Sequence, residues 1–366
     1  MAETGARPRV PAWRLTLLRA LRSFFTPLLP DDYLELVNPL WSTRELRGRI
    51  ERVERETGDA VTLHIKPGWE WEGHAPGQYL RVGVRVDGVH HWRAYSLTSD
   101  PGRADGQISI TPKLYEPGAV SPFLVRHARP GAIVRLGGVE GMFVLPDPPP
   151  RRLLLISAGS GITPIMSMLR ALDRRGALRD VVHVHSARTA EDVIFAGRLR
   201  DLDARHDGLA LHLRLSGEQG RFVAAEHLDD VCPDWRERET FACGPAELLD
   251  ALGAHWDAAG VADRLHMERF QPVIGGDAGD GAGGTVRFAR SDVEATCDGG
   301  TPILVAGEQA GADLPYGCRM GICHTCVGTL RAGQVRDLRT GELSGGEGHT
   351  VRTCVNAPEG AVEIDL

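Results

Sequence analysis

Four cysteines near the C-terminal end carry the strongest chemical signal in this chain. Cys318, Cys323 and Cys326 lie in YGCRMGICHTC, and Cys354 follows in RTCVN after twenty-seven intervening residues. Thiolates spaced C-x4-C-x2-C with a remote fourth suit a [2Fe–2S] cluster, because one tight loop wraps the irons and a distant ligand closes the site. Gly317 and Gly321 permit the backbone angles that such a loop needs. Loop N–H groups can also donate to sulfur and tune the potential. The alternative is a structural zinc site, which favours two paired knuckles; here three ligands share one loop. His324, beside Cys323, reads as a solvated neighbour rather than a ligand.

A second set of residues suits nucleotide phosphates. Ala158-Gly159-Ser160-Gly161-Ile162-Thr163-Pro164 follows the apolar run RLLLIS and opens a helical pattern. A glycine-rich turn there lets a pyrophosphate approach, and the helix N-terminus supplies donors and positive potential. Gly159, Gly161, Thr163 and Pro164 are therefore candidate binding residues. After the next strand, Ser186-Ala187-Arg188 replaces the acidic residue that would hold a ribose 2′-hydroxyl of NADH. A hydroxyl beside a guanidinium suits a 2′-phosphate. NADPH is thus expected over NADH, although Glu191 and Asp192 argue the other way and a solvated arginine is the plainer alternative.

Several of these segments resemble known families. Leu314-Pro315-Tyr316-Gly317-Cys318-Arg319 is similar to the cluster loop of plant-type ferredoxins, which implies a β-grasp fold for the last segment. Arg93-Ala94-Tyr95-Ser96 resembles R-x-Y-[ST], the flavin fingerprint of ferredoxin–NADP⁺ reductases. The resemblance implies Arg93 on a flavin phosphate, Tyr95 against the isoalloxazine and Ser96 near N5. Gly118-Ala119-Val120-Ser121 resembles the family's second phosphate loop, G-x-x-S. Gly141-Met142-Phe143 resembles the end of the flavin barrel, and together they favour FAD over FMN.

The glycine turn at 158–164 looks like the family's G-x-G-x-T-P. Cys243-Gly244-Pro245 resembles its C-G-P, whose cysteine lies beside the nicotinamide, with Gly244 and Pro245 in the binding turn. Glu268 in MERF resembles the acidic residue that closes the pocket, with Phe270 beside it. The catalytic residues implied are Ser96, Cys243 and Glu268. Taken alone, Cys243 is an ordinary buried thiol and Glu268 a surface residue.

These residues need three kinds of scaffold. Short alternating segments at Arg49–Val53, Ala60–Ile65, Tyr79–Val84 and Gln107–Thr111, broken by Gly and Pro, predict an antiparallel β-barrel that binds flavin. Apolar runs alternating with helical patterns, from Arg152–Ser157 to the helix at Ala246–Ala259, predict an α/β domain with a parallel sheet. Within it, Glu191–Asp201 reads as helix. IGGDAGDGAGG lacks core-forming side chains and reads as a linker. The multidomain reading is an N-terminal extension at 1–43, a barrel at 44–147, a nucleotide domain at 148–272, a linker at 273–284 and a ferredoxin domain at 285–366.

With 366 residues, several domains are expected, and the net charge of −7 gives no basic signature for nucleic acid. Seven cysteines, four of them clustered, suit metal ligation in a reducing cytoplasm. Residues 7–30 hold five arginines and no acid, with Trp13, Leu17, Leu21 and Phe24 on one helical face. Such a helix can lie at an anionic membrane surface, here the inner face of the cell membrane, or pack on the chain's own barrel.

Pro30-Asp31-Asp32-Tyr33-Leu34 through Asn38-Pro39-Leu40 is similar to actinobacterial reductases that serve stearoyl-CoA desaturase. The resemblance implies a reductase passing electrons from NADPH through FAD and [2Fe–2S] to a membrane di-iron fatty acyl-CoA desaturase. The rivals are the reductase of a soluble ring-hydroxylating dioxygenase or monooxygenase, and a non-catalytic redox-sensing module.

Overall fold

The computed structural model describes residues 37–42, 44–86, 88–116, 119–270, 281–316, 321 and 326–366. Cys318 and Cys323, Gly118 and the whole 7–30 segment lie outside them. The described residues form two compact units. Among the described residues, one draws on those up to His90, Tyr95–Cys243 and Ala251–Met267, the other on His91–Ala94, Gly244–Asp250 and those from Glu268 onward.

The first sheet has six strands in the order β4-β3-β6-β1-β2-β5. They are β1 (Arg47–Arg55), β2 (Val61–Pro67), β3 (Tyr79–Val86), β4 (Val89–Ser96), β5 (Ile108–Ile110) and β6 (Ile133–Glu140). β1 pairs antiparallel with both β2 and β6. Each strand turns alternate side chains inward, so Ile50, Leu63, Ile65, Leu80, Val82, Leu97 and Leu136 meet in one core with the short helix α1 (Val120–His127). Gly48 is obligatory here: a Cβ would come within 2.4 Å of Ile65 Cγ2.

A five-stranded sheet, β11-β10-β7-β8-β9, carries the nucleotide turn. Its strands are β7 (Leu153–Ala158), β8 (Val181–Ala187), β9 (Leu209–Leu215), β10 (Glu239–Cys243) and β11 (Leu265–Glu268). β10, β7, β8 and β9 run parallel. The uninterrupted apolar run of β7 is buried throughout, as helix-covered parallel sheets require. Helices α2 (Ile162–Arg174), α3 (Ala196–Arg205), α4 (Ala224–Val231) and α5 (Ala246–Ala258) follow the strands.

The expected helix at Glu191–Asp201 is displaced. A 3₁₀ turn occupies Ala190–Asp192, Phe195 takes a left-handed conformation at φ +64°, and α3 starts only at Ala196. The cause is tertiary, because the Phe195 N–H donates to Glu56 Oε2 at 3.2 Å, a partner 139 residues away.

The third sheet runs β13-β12-β17-β14-β15, with β16 paired to β14. Its strands are β12 (Gly284–Phe288), β13 (Val293–Cys297), β14 (Val327–Asp337), β15 (Leu343–Gly345), β16 (Thr350–Arg352) and β17 (Asn356–Asp365). A parallel β12–β17 pair inside an otherwise antiparallel sheet, with α6 (Ile303–Gln309) packed on its core, gives the β-grasp arrangement. β12 begins at Gly284, the last residue of the expected linker.

Candidate functional site

The flavin fingerprint lies on β4, whose alternation puts Arg93 and Tyr95 on one side, both half-buried, while Ser96 is buried at the strand's end. α1 begins at Val120, two residues after Gly118, and no acid stands in its first turn. Its N–H groups are therefore available to an anionic phosphate. The Ser121 hydroxyl is committed locally: it accepts from the Tyr115 N–H at 3.1 Å and donates to the Tyr115 carbonyl at 3.3 Å. It thus shapes the loop before α1.

The glycine turn sits between β7 and α2 as a 3₁₀ turn at Gly159–Gly161. Gly159 has φ +53° and open space where a Cβ would stand. No side chain caps α2 and no acid occupies its first turn. An open backbone facing uncapped donors fits a pyrophosphate. Thr163 is turned inward, its hydroxyl donating to the Ser160 carbonyl at 2.9 Å and fixing the turn, while Gly161 and Pro164 are buried within it.

α2 also reaches back to the flavin sheet. Ser167 Oγ donates to the Ser99 carbonyl at 2.8 Å, and Arg170 Nη1 to the Thr98 carbonyl at 2.6 Å. Arg174 Nε pairs with Asp100 Oδ2 at 2.5 Å. Residues 98–100 directly follow Ser96, so one helix ties the nucleotide turn to the end of the flavin strand. Nothing in the local sequence announced these contacts.

Ser186 is half-buried at the end of β8 and Arg188 is exposed just beyond it. The register sets Ser186 beside Arg214 of β9. Arg214 donates to the carbonyls of Gly220 at 3.0 Å and Gln219 at 2.6 Å, which fixes its guanidinium near the strand ends. No local motif marks Arg214, because only strand register makes it a neighbour of Ser186.

Cys243 closes β10, fully buried, with Gly244 half-buried and Pro245 exposed before α5. In the sheet it aligns with Ser157, which aligns with His185. Ser157 Oγ lies 2.9 Å from His183 Nε2 and 2.8 Å from His185 Nδ1. Burial drives both imidazoles toward the neutral form, His185 to about 4. Glu268 is half-buried at the end of β11 rather than open on the surface, and burial pushes its carboxyl up to about 7.

Of the four candidate cluster ligands, Cys326 and Cys354 are described, and both are buried. The Gly321 N–H donates to Cys354 Sγ at 3.2 Å, the contact expected for a thiolate that ligates iron. Thr353 donates to the Cys326 carbonyl through its N–H at 3.0 Å and its hydroxyl at 2.9 Å. The two cysteines are thus held by adjoining backbone. Two buried cysteines, with an N–H donor on the sulfur of Cys354, fit an iron–sulfur centre.

Comparison with known proteins agrees with this arrangement. Residues 50–145 match the model of an oxidoreductase FAD-binding domain, 155–253 that of an oxidoreductase NAD-binding domain, and 286–359 that of a 2Fe-2S iron-sulfur cluster binding domain. An NADPH oxidoreductase of Mycobacterium tuberculosis is 50% identical over 361 residues, covering 98% of this chain and 94% of that one. A glycine betaine monooxygenase reductase subunit of Pseudomonas aeruginosa is 30% identical over 319 residues, 79% of this chain and 86% of that one. In fold, the chain is similar to phthalate dioxygenase reductase, with a TM-score of 0.57 and 22% identity over 87% of this chain and 97% of that one.

Proposed function

Because the chain belongs to the ferredoxin-reductase-type flavoproteins that end in a 2Fe-2S domain, we propose that it takes hydride from NADPH and delivers single electrons to an oxygenase-type partner, specifically a membrane di-iron fatty acyl-CoA desaturase. When bound, FAD would supply the conversion of a hydride's electron pair into single electrons, and the cluster would supply one-electron carriage. The domain limits 44–147, 148–272 and 285–366 belong to the same proposal.

The residues divide the work. Arg93 and the N-terminus of α1 hold the flavin's phosphates, and Tyr95 packs on its ring. The Gly159–Gly161 turn and α2 hold the nucleotide's pyrophosphate, while Ser186 and Arg188 take its 2′-phosphate. Ser96 and Cys243 shape the place where nicotinamide meets flavin; Glu268 is the counterpart of the family's acidic residue, and burial keeps its carboxyl protonated below about pH 7. Cys318, Cys323, Cys326 and Cys354 hold the irons.

The observation that carries the reading is the stitching of α2 to Thr98–Asp100, which keeps the nucleotide turn in register with Ser96. The preference for NADPH draws support from the name of the M. tuberculosis relative. The desaturase rests on Pro30–Leu40 and on a membrane-surface helix at 7–30. Among the described residues no helix is long and apolar enough to cross a membrane. A second reading, the reductase of a soluble monooxygenase, is favoured by the names of relatives such as the glycine betaine monooxygenase reductase subunit.

The test is a pair of assays. Wild type should reduce ferricyanide and cytochrome c with NADPH, and Cys326→Ser should keep only the first. Equal loss of both activities would remove the cluster from the end of the relay. Co-purification from native membranes would identify the acceptor, and recovery of a soluble oxygenase alone would sink the desaturase.

A further inference from the structure

Arg352 ends β16, two residues before Cys354. Its Nη1 donates to the Gly321 carbonyl at 2.8 Å, and the Gly321 N–H donates to Cys354 Sγ at 3.2 Å. One residue is therefore gripped from both ends, its carbonyl by a guanidinium and its N–H by a cluster sulfur. Gly321 has φ +71°, and a Cβ there would come within 2.8 Å of Val355 Cγ2 and 2.9 Å of Arg339 Nη1. The position needs glycine, and glycine alone would leave its orientation loose. Arg352 removes that freedom.

Charge acts in the same direction. Arg339 is neutralised by Asp337, with Nε to Oδ1 at 2.9 Å and Nη2 to Oδ2 at 2.5 Å. Arg352 makes no ion pair among the described residues and is half-buried, which weakens solvent screening of its charge. Reduction adds one negative charge to the centre. An N–H dipole aimed at a ligand sulfur and a half-buried guanidinium two residues from Cys354, whose charge Asp337 feels without pairing to it, both favour the reduced form.

We propose that Arg352 is a positioning residue for the [2Fe–2S] centre: by holding the Gly321 carbonyl it aims the Gly321 N–H at Cys354 Sγ and raises the cluster's midpoint potential. The proposal rests on the cluster reading of the four cysteines. Its consequence is a larger driving force for the electron that the flavin supplies within the chain, and a smaller one for delivery to the partner.

The experiment uses full-length holoenzyme in four forms: wild type, Arg352→Lys, Arg352→Gln and Arg352→Ala. Iron is counted first, and the midpoint potential is then read by spectroelectrochemistry with the EPR signal of the reduced cluster. Arg352→Ala should retain iron and lower the equilibrium constant for reduction about tenfold, or ~59 mV for one electron. Arg352→Lys should recover most of the shift, and Arg352→Gln, a neutral donor, only part of it. An unchanged potential in iron-replete Arg352→Ala overturns the proposal. Loss of iron from all three variants also overturns it, by making Arg352 a folding residue. Wild type without iron would instead refute the cluster reading itself.

Discussion

Ser167 on the helix that follows the nucleotide turn donates to the carbonyl of Ser99, three residues beyond Ser96 on the flavin strand, at 2.8 Å. Both groups are buried, so the bond is shielded from competing water, and its loss leaves the carbonyl only the longer contact to His74 Nε2 at 3.2 Å. Arg170 and Arg174 repeat the link one and two turns further along. Hydride transfer depends steeply on donor–acceptor geometry. Ser167→Ala should therefore slow NADPH-driven flavin reduction about two- to tenfold, matching a hydrogen bond of ~0.5–1.5 kcal/mol, with little change in NADPH affinity. Stopped-flow reduction under anaerobic conditions checks this. A change in affinity alone would mean that the seam holds nucleotide rather than geometry.

Cofactor choice gives a second outcome. Arg188 is exposed, so replacing it should cost little stability. Arg188→Ala should raise KM for NADPH about tenfold and leave KM for NADH nearly unchanged, because a guanidinium–phosphate bond is charge-assisted. Wild type that already prefers NADH would overturn the 2′-phosphate assignment.

Glu268 should impose a pH dependence. Burial raises its carboxyl from the ordinary 4.5 to about 7, so the neutral acid predominates below about pH 7 and the carboxylate above it. Charge that develops on a reduced flavin is opposed by a neighbouring carboxylate. Flavin reduction should accordingly slow as pH rises through about 7, and Glu268→Gln should flatten that inflection. The fold follows the same sign. Stability is full below pH 4.5, declines as pH rises through 7, and this decline disappears in the glutamine variant. A wild-type profile flat from pH 6 to 8 would remove Glu268 from the site.

The buried histidines carry the opposite sign. His185 is held neutral, its imidazole lowered from 6.5 to about 4. The unfolded chain takes its proton first as pH falls, so the contribution is full above 6.5 and is lost progressively down to about 4. That loss is on the order of 3 kcal/mol. His185→Leu should be less stable than wild type at pH 7, since Ser157 loses a partner. Its urea midpoint should then change less between pH 7 and 5. Equal acid sensitivity in both proteins would refute a neutral buried imidazole.

Much of this architecture is legible in the sequence where local pattern decides it. β9 at Leu209–Leu215 and β10 at Glu239–Cys243 lie where alternation and apolar runs put them, and the glycine turn falls between strand and helix as its composition requires. Failures occur where a distant residue decides. The Glu191–Asp201 helix loses its first turns to a bond between Phe195 and Glu56, and the Arg170 guanidinium over the Phe195 ring at 5.2 Å reinforces that placement. The Ser121 hydroxyl closes its own loop on Tyr115. Arg214 and Arg352 gain their neighbours from strand register and chain return, which no window of sequence contains.

The last outcome concerns residues 7–30, which separate the two candidate partners. If 7–30 lies on an anionic membrane surface, its five arginines contribute about 1 kcal/mol each, and Trp13 and Phe24 add apolar contact. Deleting 7–30 should leave NADPH–ferricyanide activity intact while abolishing binding to phosphatidylserine-containing vesicles, measured by flotation. Raising salt should release the full-length protein in the same assay, because screening weakens the arginine attraction. Neutral phosphatidylcholine vesicles should bind neither form. The truncated protein should also support a membrane desaturase poorly at unchanged diaphorase activity, since the anchor raises local concentration without touching the chemistry. Loss of flavin on deletion would make the segment part of the barrel. The desaturase would then rest on Pro30–Leu40 alone, and the soluble monooxygenase partner would become the better reading.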